Sequence, residues 1–382
     1  MSLVVFPFKH EDPAVVRRNL EVAAGHGRVG EVWGVAAAQG ASLDQVTALG
    51  NEVSKVQRKP IEVFAQERIG TKRPGKGDGM NTAIQRAVSR GFRRIHFYDA
   101  DITNFDEAWI DGAEAAADAG FDIVRHRFPR AATDAMITWM ITRPSLAMLF
   151  PGTTLPRLGQ PLGGELLISG DVAASLASNE QVRERSDWGI DTLITHATAS
   201  LGVPMYEHNV ADGKRHALYG SLDEIRDMVI ECLDAARSLR VRSGPRPGSL
   251  FSADPPADVP EDLKRVVGYD IEQTTPLLTA EWSDAETSIA ARLPSGVAEE
   301  VLTNRDAPNF RFMDADVWGD VLAWLLMEFR LDDDAWCSLA FRLWLMRVLA
   351  YTSAIVPEGY DASIAYLEET VSRYEDRPLD AR

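Results

Sequence analysis

The chain has 382 residues, 45% of them hydrophobic and 25% charged, with a formal net charge of −17; this composition describes a globular chain of two domains, or one large domain with an appendage, and the acidic balance argues against non-specific binding to nucleic acid or to an anionic membrane. Two cysteines, Cys232 and Cys337, exclude a disulfide framework and fit a reducing, cytoplasmic setting. No apolar run approaches the ~20 residues of a membrane span, and the N-terminus lacks the basic region of a signal peptide before Pro7 and Lys9 cut its apolar stretch short.

Leu3 to Phe8 reads as a first strand, followed by a helix from about Pro13, a residue suited to a first helical turn. Glu31 to Ala36 and Ile61 to Ala65 read as strands two and three. A Gly-rich loop, a helix from near Met80 to Arg90, the buried strand Arg94 to Tyr98, another helix and the strand Asp122 to Arg127 follow. This alternation predicts an α/β fold with a mostly parallel sheet, where ligands bind beyond the carboxyl ends of the strands. Polar residues stand just past three of those ends: Lys9-His10, Gln66-Glu67-Arg68 and Asp99-Ala100-Asp101. Gly163 and Gly164 precede a further apolar strand and permit tight approach to a ligand, or a bulge. Ser186 to Asp191 opens an amphipathic helix, with Asp187 and Asp191 on one face and Asp191 a turn inside. The Pro- and Gly-rich stretch 241–260 reads as a linker between a domain at 1–240 and a helical domain at 261–382. In the latter, Asp314 caps a helix with Val317, Trp318, Val321, Leu322 and Leu325 on one face, and a second helix begins near Asp334. Four of the nine tryptophans lie between 318 and 344. Such a stripe is core or oligomer contact, and a homo-oligomer is expected from it.

Asp99 and Asp101 are separated by one small residue at the end of a strand. Side chains alternate along a strand, so both carboxylates face one object. Close like charges call for a cation, a donor-rich partner or a retained proton. A divalent metal beside a nucleotide diphosphate answers this; turn or cap aspartates are the bland alternative. The loop Gly70 to Gly77 comes within one residue of G-x-x-x-x-G-K-[ST], with Gly77 where the Mg²⁺-binding hydroxyl should stand. Lys72, Arg73 and Lys76 still cluster among glycines ahead of a helix, as an anion site or an exposed basic turn. His216, in the basic loop Lys214 to Gly220, is a candidate third metal ligand or a structural histidine. Arg130, ahead of the segment Ala135 to Met140, reads as a clamp for a small carboxylate or as half of a surface ion pair.

Taken together, these segments resemble the mannosylglycerate synthase family, retaining glycosyltransferases of the GT-A fold. The matching stretches are Ser2 to Glu11, Gln66 to Arg68, Arg73 to Asn81, Ile95 to Asp101, Thr133 to Arg143, Gln160 to Glu165 and Arg185 to Asp191. The resemblance implies a GT-A-like nucleotide-sugar domain with a helical C-terminal domain. It implies transfer of mannose from GDP-mannose to the 2-hydroxyl of D-glycerate, with retention and with a divalent metal (Mg²⁺, Mn²⁺ or Ca²⁺). Carried over residue by residue, it places Pro7, Phe8, Lys9, His10, Glu11, Val35, Gln66 and Lys76 around the nucleotide. Asp99 and Ala100 would touch the nucleotide sugar, and Leu162 would line the sugar site. Asp101 and His216 would hold the metal, with Tyr219 close by. Arg130 would grip the acceptor carboxylate, aided by Ala135, Met136, Ile137, Thr138 and Trp139. Asp191 would lie beside the reacting sugar as the candidate catalytic carboxylate. The family loop has an arginine directly after the metal histidine, where this chain has Ala217.

Three other functions compete with this one: a related transferase using GDP-glucose, UDP-sugars or another 2-hydroxy acid; a nucleotide hydrolase working through the Gly-rich loop; and a non-catalytic sugar-nucleotide sensor, for which Ala217 is the sole support.

Overall fold

The structure is a computed structural model that describes residues 1–37, 43–216, 222–241, 251–265, 268–305 and 310–379. Its strands are β1 (Ser2–Phe8), β2 (Val29–Ala36), β3 (Ile61–Ala65), β4 (Arg94–Phe97), β5 (Ile123–Arg127), β6 (Leu166–Ser169), β7 (Met205–Asn209) and β8 (Phe251–Ala253). The first eight α-helices are α1 (Pro13–Gly25), α2 (Leu43–Gln57), α3 (Lys76–Ser89), α4 (Glu107–Asp118), α5 (Arg143–Leu149), α6 (Gly170–Ser178), α7 (Glu180–Glu184) and α8 (Ile190–Ser200). Then come α9 (Arg226–Ser238), α10 (Ile271–Thr279), α11 (Asp284–Ala290), α12 (Val297–Asn304), α13 (Ala315–Glu328), α14 (Asp334–Ala354) and α15 (Tyr360–Glu375).

The eight strands form one sheet in the order β3-β2-β1-β4-β6-β5-β7-β8. Every pairing is parallel except the two made by β6, which runs antiparallel to β4 and to β5. This is the α/β, mostly parallel architecture that the strand-helix alternation predicts. The apolar runs of β1, β2 and β4 are buried almost throughout because helices cover both faces of a parallel sheet. The single reversed strand matters for the site. An antiparallel strand begins at the edge where its parallel neighbours end, so the residue before β6, Glu165, shares a rim with the residues after β4.

The chain divides into two compact units. The first comprises Met1–Pro129, Gly159–Ala217 and Pro245–Val259; the second comprises Arg130–Leu158, Leu218–Gly244 and Pro260–Arg382. The expected linker at 241–260 contributes β8 to the sheet, where Phe251 pairs with Met205. Part of it is therefore a sheet edge rather than a spacer.

In the second unit Asp314 caps α13, accepting from the Asp316 and Val317 amides. Trp318, Trp336 and Trp344 are buried, which accounts for most of the tryptophan stripe as core. Trp324 is half-buried and stacks on Trp336. The stretch Asp334–Glu358 has the length and apolarity to cross a membrane, yet 78% of its apolar 18-residue window is buried within the protein. It also carries Arg342, paired with Glu286 at 3.0 Å, and the fully buried Arg347. Both identify α14 as a core helix.

Candidate active site

The loop after β3 is built around a buried acid. Asp78 accepts from the amides of Ile69 (3.0 Å) and Gly70 (2.9 Å) and pairs with Arg68 (2.7 Å). Asp78 thus organises the loop that precedes its own helix, α3. Asn81 donates to the carbonyls of Val182 (2.8 Å) and Arg185 (3.2 Å), binding α3 to the segment before α8. That close approach explains Gly77. A Cβ there would collide with the Arg185 carbonyl oxygen, and one on Gly70 would lie 2.6 Å from the Glu184 carbonyl oxygen. Gly77 is a packing requirement, so the near-match to a phosphate loop ends at sequence similarity. Helix α3 begins at Lys76 rather than near Met80.

Lys76, at this first helical position, points its ammonium at two carboxylates: Asp99 Oδ1 at 3.1 Å and Asp191 Oδ2 at 3.0 Å. The other oxygen of Asp99 receives Lys214 Nζ at 2.6 Å, and Lys214 reaches Glu165 Oε1 at 2.6 Å. An alternating chain results: Glu165, Lys214, Asp99, Lys76, Asp191. Lys76 Nζ also lies 5.6 Å from the Trp188 ring centre. A side chain on Gly164 would strike both Lys76 and Asp99, so the paired glycines permit this close packing.

Burial opposes every charge in this chain, and the alternation offsets it unevenly. For Asp99, desolvation is overcome by Lys214 and Lys76, and its carboxyl lies well below the usual range. For Lys76, desolvation is outweighed by Asp191, Asp99 and Glu165, so the ammonium is held protonated more firmly than usual. Desolvation dominates at Glu165 and Asp191 and raises both, although lysines oppose it. Each of those end acids keeps one buried oxygen without a hydrogen-bond partner, Glu165 Oε2 and Asp191 Oδ1.

Asp99 and Asp101 do not derive their directions from strand alternation. β4 ends at Phe97, and the triplet lies in a turn. Asn19 of α1 fixes that turn by donating to the carbonyls of Ala100 (3.1 Å) and Ile102 (3.0 Å). Asp99 engages both lysines, whereas Asp101 Oδ1 is buried with no hydrogen-bond partner. Glu11, whose backbone neighbour Lys9 donates to its carboxylate, is raised by desolvation and further by Asp101 and Asp99. The loop bearing His216 is tied to the same turn. Thr103 N donates to the Arg215 carbonyl (2.8 Å), Asn104 Oδ1 accepts from Arg215 N (2.9 Å), and Asn104 Nδ2 donates to Gly213 O (2.8 Å). Among the described residues no group of three or more His, Cys, Asp or Glu is arranged to hold a metal.

The remaining nucleotide candidates of the first unit line the same sheet edge. Pro7 and Phe8 end β1, Val35 is the penultimate residue of β2, and Gln66 follows β3 with its amide on Ala36 O at 2.8 Å. Lys9 and His10 are exposed beyond β1, and Leu162 is half-buried before β6. Asp191 lies in the first turn of α8, not a turn inside, and Asp187 precedes the helix, where it accepts from Gly189 N at 2.9 Å. Tyr219 and Ala217 lie outside the described residues.

The carboxylate-clamp segment belongs to the second unit. Arg130 approaches Asp134 at 3.4 Å. Ala135 has φ +57, a left-handed conformation unusual for a residue with a Cβ, and its amide donates to Asp134 Oδ1 at 2.7 Å. Met136, Ile137 and Thr138 are buried. Thr138–Thr142 form a π-helical turn carrying Trp139, a distortion frequent at functional sites.

Against this geometry, a family model described as "Mannosylglycerate synthase, GT domain" matches residues 2–238, and one described as "Mannosylglycerate synthase C-terminal domain" matches 263–371. The chain is 46% identical to the "Mannosylglycerate synthase" of Rhodothermus marinus, covering 98% of this chain and 94% of that protein. It is 40% identical to the enzyme of the same name from Selaginella moellendorffii, covering 97% and 89%. The chain belongs to the mannosylglycerate synthase family. It is a glycosyltransferase that moves a hexosyl group. Among solved structures it is similar to glucosyl-3-phosphoglycerate synthase from Mycobacterium tuberculosis, at 20% identity and a TM-score of 0.48, over 62% of this chain and 79% of that one.

Sequence reading assigned no role to three charged residues of this family member's site: Glu165, Lys214 and Arg125. Arg125 is fully buried in β5 and donates to the Gly163 carbonyl at 3.1 Å; burial lowers its pKa, opposed by Asp191, Glu207 and Glu165. One signal was legible, because a charged residue at a buried position of an apolar strand needs a specific partner.

Proposed function

We propose that this enzyme transfers mannose from GDP-mannose to the 2-hydroxyl of D-glycerate, with retention at the anomeric carbon. The observation that carries the reading is the buried ammonium of Lys76, held between Asp99 and Asp191 at the ligand-binding edge of the sheet. Departure of a nucleoside diphosphate builds negative charge on phosphate oxygens. A desolvated, pre-oriented cation stabilises such charge without reorganising. Asp99 keeps Lys76 and Lys214 in register, and Asp191 Oδ1 remains for a donor-sugar hydroxyl.

Asp101 and His216 are the proposed holders of a divalent metal. The buried, unbonded Oδ1 of Asp101 and the tie between the two loops support that fit. Mg²⁺ or Mn²⁺ there would neutralise part of the leaving diphosphate's charge. Arg130 is the proposed partner of the acceptor carboxylate, with Ala135 to Trp139 shaping the acceptor site.

Retention follows from a front-face exchange. The acceptor hydroxyl bonds to the anomeric carbon as the diphosphate oxygen leaves the same face, and that oxygen takes the hydroxyl proton. The alternative is double displacement through a carboxylate. Asp191 is the candidate nucleophile, but its Oδ2 is engaged by Lys76, which lowers its nucleophilicity. A matrix of GDP-mannose, GDP-glucose and UDP-sugars against D-glycerate, lactate and glycolate, with and without Mn²⁺, tests the reading. Mannosylglycerate is expected from GDP-mannose and D-glycerate. No product with D-glycerate and any sugar nucleotide defeats it, and a covalent sugar trapped on Asp191 defeats the front-face exchange.

A further inference from the structure

One buried arginine of the second unit joins the proposed acceptor segment to the last helix. Arg143 follows the π-helical turn, and its amide donates to the Thr138 carbonyl five residues back. Its guanidinium is fixed from three directions. Nη1 and Nη2 pair in parallel with Glu368 Oε1 (3.0 Å) and Oε2 (2.7 Å), and Nε donates to the Pro156 carbonyl at 3.2 Å. Its guanidinium carbon, Cζ, lies over the Trp139 ring, 4.4 Å from its centre. A forked carboxylate contact orients a guanidinium plane as well as binding it. The orientation of that plane then sets the orientation of the indole against it. Met140 of the same turn is tied down through its carbonyl, which accepts from Trp318 Nε1 at 2.6 Å. The backbone of the turn is thereby anchored separately from the Trp139 side chain. Glu368 belongs to α15, and its side chain is 46% exposed, so it reaches the buried Arg143 from the surface.

We propose that Glu368 and Arg143 are positioning residues that set the orientation of Trp139 and, through it, the affinity for the acceptor. The proposal rests on the reading that Ala135 to Trp139 bind the acceptor. It gives the C-terminal domain a part in acceptor recognition through a residue that touches no substrate.

The test compares wild type with Glu368→Ala, Glu368→Gln and Arg143→Lys, using GDP-mannose and D-glycerate. Loss of the fork frees the guanidinium plane. The KM for D-glycerate in Glu368→Ala is therefore expected to rise roughly 3- to 30-fold, the range of one cation–π contact, with kcat and the KM for GDP-mannose within about twofold of wild type. Glu368→Gln keeps one acceptor oxygen and falls between. Arg143→Lys keeps the charge but lacks the fork and the flat face, and follows Glu368→Ala. Direct titration of D-glycerate into the protein should show the same weakening. A merely structural contact would lower the melting temperature and leave both KM values alone, and that result overturns the proposal. Equal rises in both KM values also overturn it. Failure of wild type to use or bind D-glycerate defeats the parent reading instead, and is seen before any variant is made.

Discussion

Lys214 bridges the buried Glu165 and the part-buried Asp99, and its removal has a calculable cost. In Lys214→Met, Asp99 Oδ2 loses its ammonium while Oδ1 keeps Lys76, and Glu165 loses the ammonium 2.6 Å away. Removing one partner of a buried ion pair costs about 3–5 kcal/mol, because the remaining charge stays desolvated. For a unit of about 200 residues, at roughly 2–4 °C per kcal/mol, the melting midpoint should fall by roughly 6–20 °C. The double variant Lys214→Met/Glu165→Gln removes the orphaned charge as well, and should regain about 1–3 kcal/mol over the single change. The sign of the pH dependence follows from the same chain. Burial already raises Glu165 with Lys214 present; without that ammonium it rises further above its unfolded value, while Asp99, still beside Lys76, only moves up from its depressed value. The folded state then binds more protons than the unfolded one, and the loss shrinks as pH falls through the folded-state values. The loss in Lys214→Met should therefore be larger at pH 8 than at pH 5. Urea unfolding of the wild type, both single variants and the double variant measures all of this. Additivity of the two changes within about 0.5 kcal/mol would refute the claim that Lys214 and Glu165 form one charge chain.

Three further outcomes are expected. Gly77→Ser completes the phosphate-loop pattern, yet the new Cβ meets the Arg185 carbonyl; it should destabilise by about 1–3 kcal/mol with no gain of nucleotide hydrolysis, and a stable variant hydrolysing GTP would contradict the packing role. His126 is fully buried with both ring nitrogens unpartnered, and desolvation first, then His208 and His96, hold its pKa well below the ordinary 6.5. Its unfolded state therefore protonates near 6.5 while the folded state does not, and stability falls as pH drops below that value. His126→Phe should raise stability by about 1 kcal/mol and flatten the slope between pH 7 and 5, so an unchanged slope counts against it. Asp101→Asn should raise the Mn²⁺ concentration needed for half-maximal rate, whereas Asp99→Asn should chiefly raise the KM for GDP-mannose; indistinguishable metal titrations would remove the division of labour between the two acids.

Much of this architecture is legible along the chain because the forces that set it act over a few residues. The apolar runs at Leu3 to Phe8 and Ile61 to Ala65 become strands whose ends carry the polar residues of the site. Asp314 caps α13 because a carboxylate there meets the amides of the next turn. Lys76, which only the family resemblance placed around one ligand with Asp99 and Asp191, lies within ion-pair distance of both. Other features depend on partners distant in the chain. Asp99 and Asp101 lie beyond the end of β4, in a turn held by Asn19 about eighty residues earlier, so strand alternation does not set their directions. Gly77 looks like a failed phosphate loop until Arg185 is packed against it.

Local periodicity and capping determined the alternation of strands and helices, the helical C-terminal region and the identity of the acids and lysines available for chemistry. Tertiary structure decided which of them are neighbours. Reversal of the single strand β6 brings Glu165 to the rim where β4 ends, and anchoring of the 213–215 loop on Thr103 and Asn104 brings Lys214 there too. The physical reason is range. Backbone propensity and side-chain periodicity are set within a turn or two of chain, whereas the cost of burying a charge is offset only by the partner that long-range pairing places beside it.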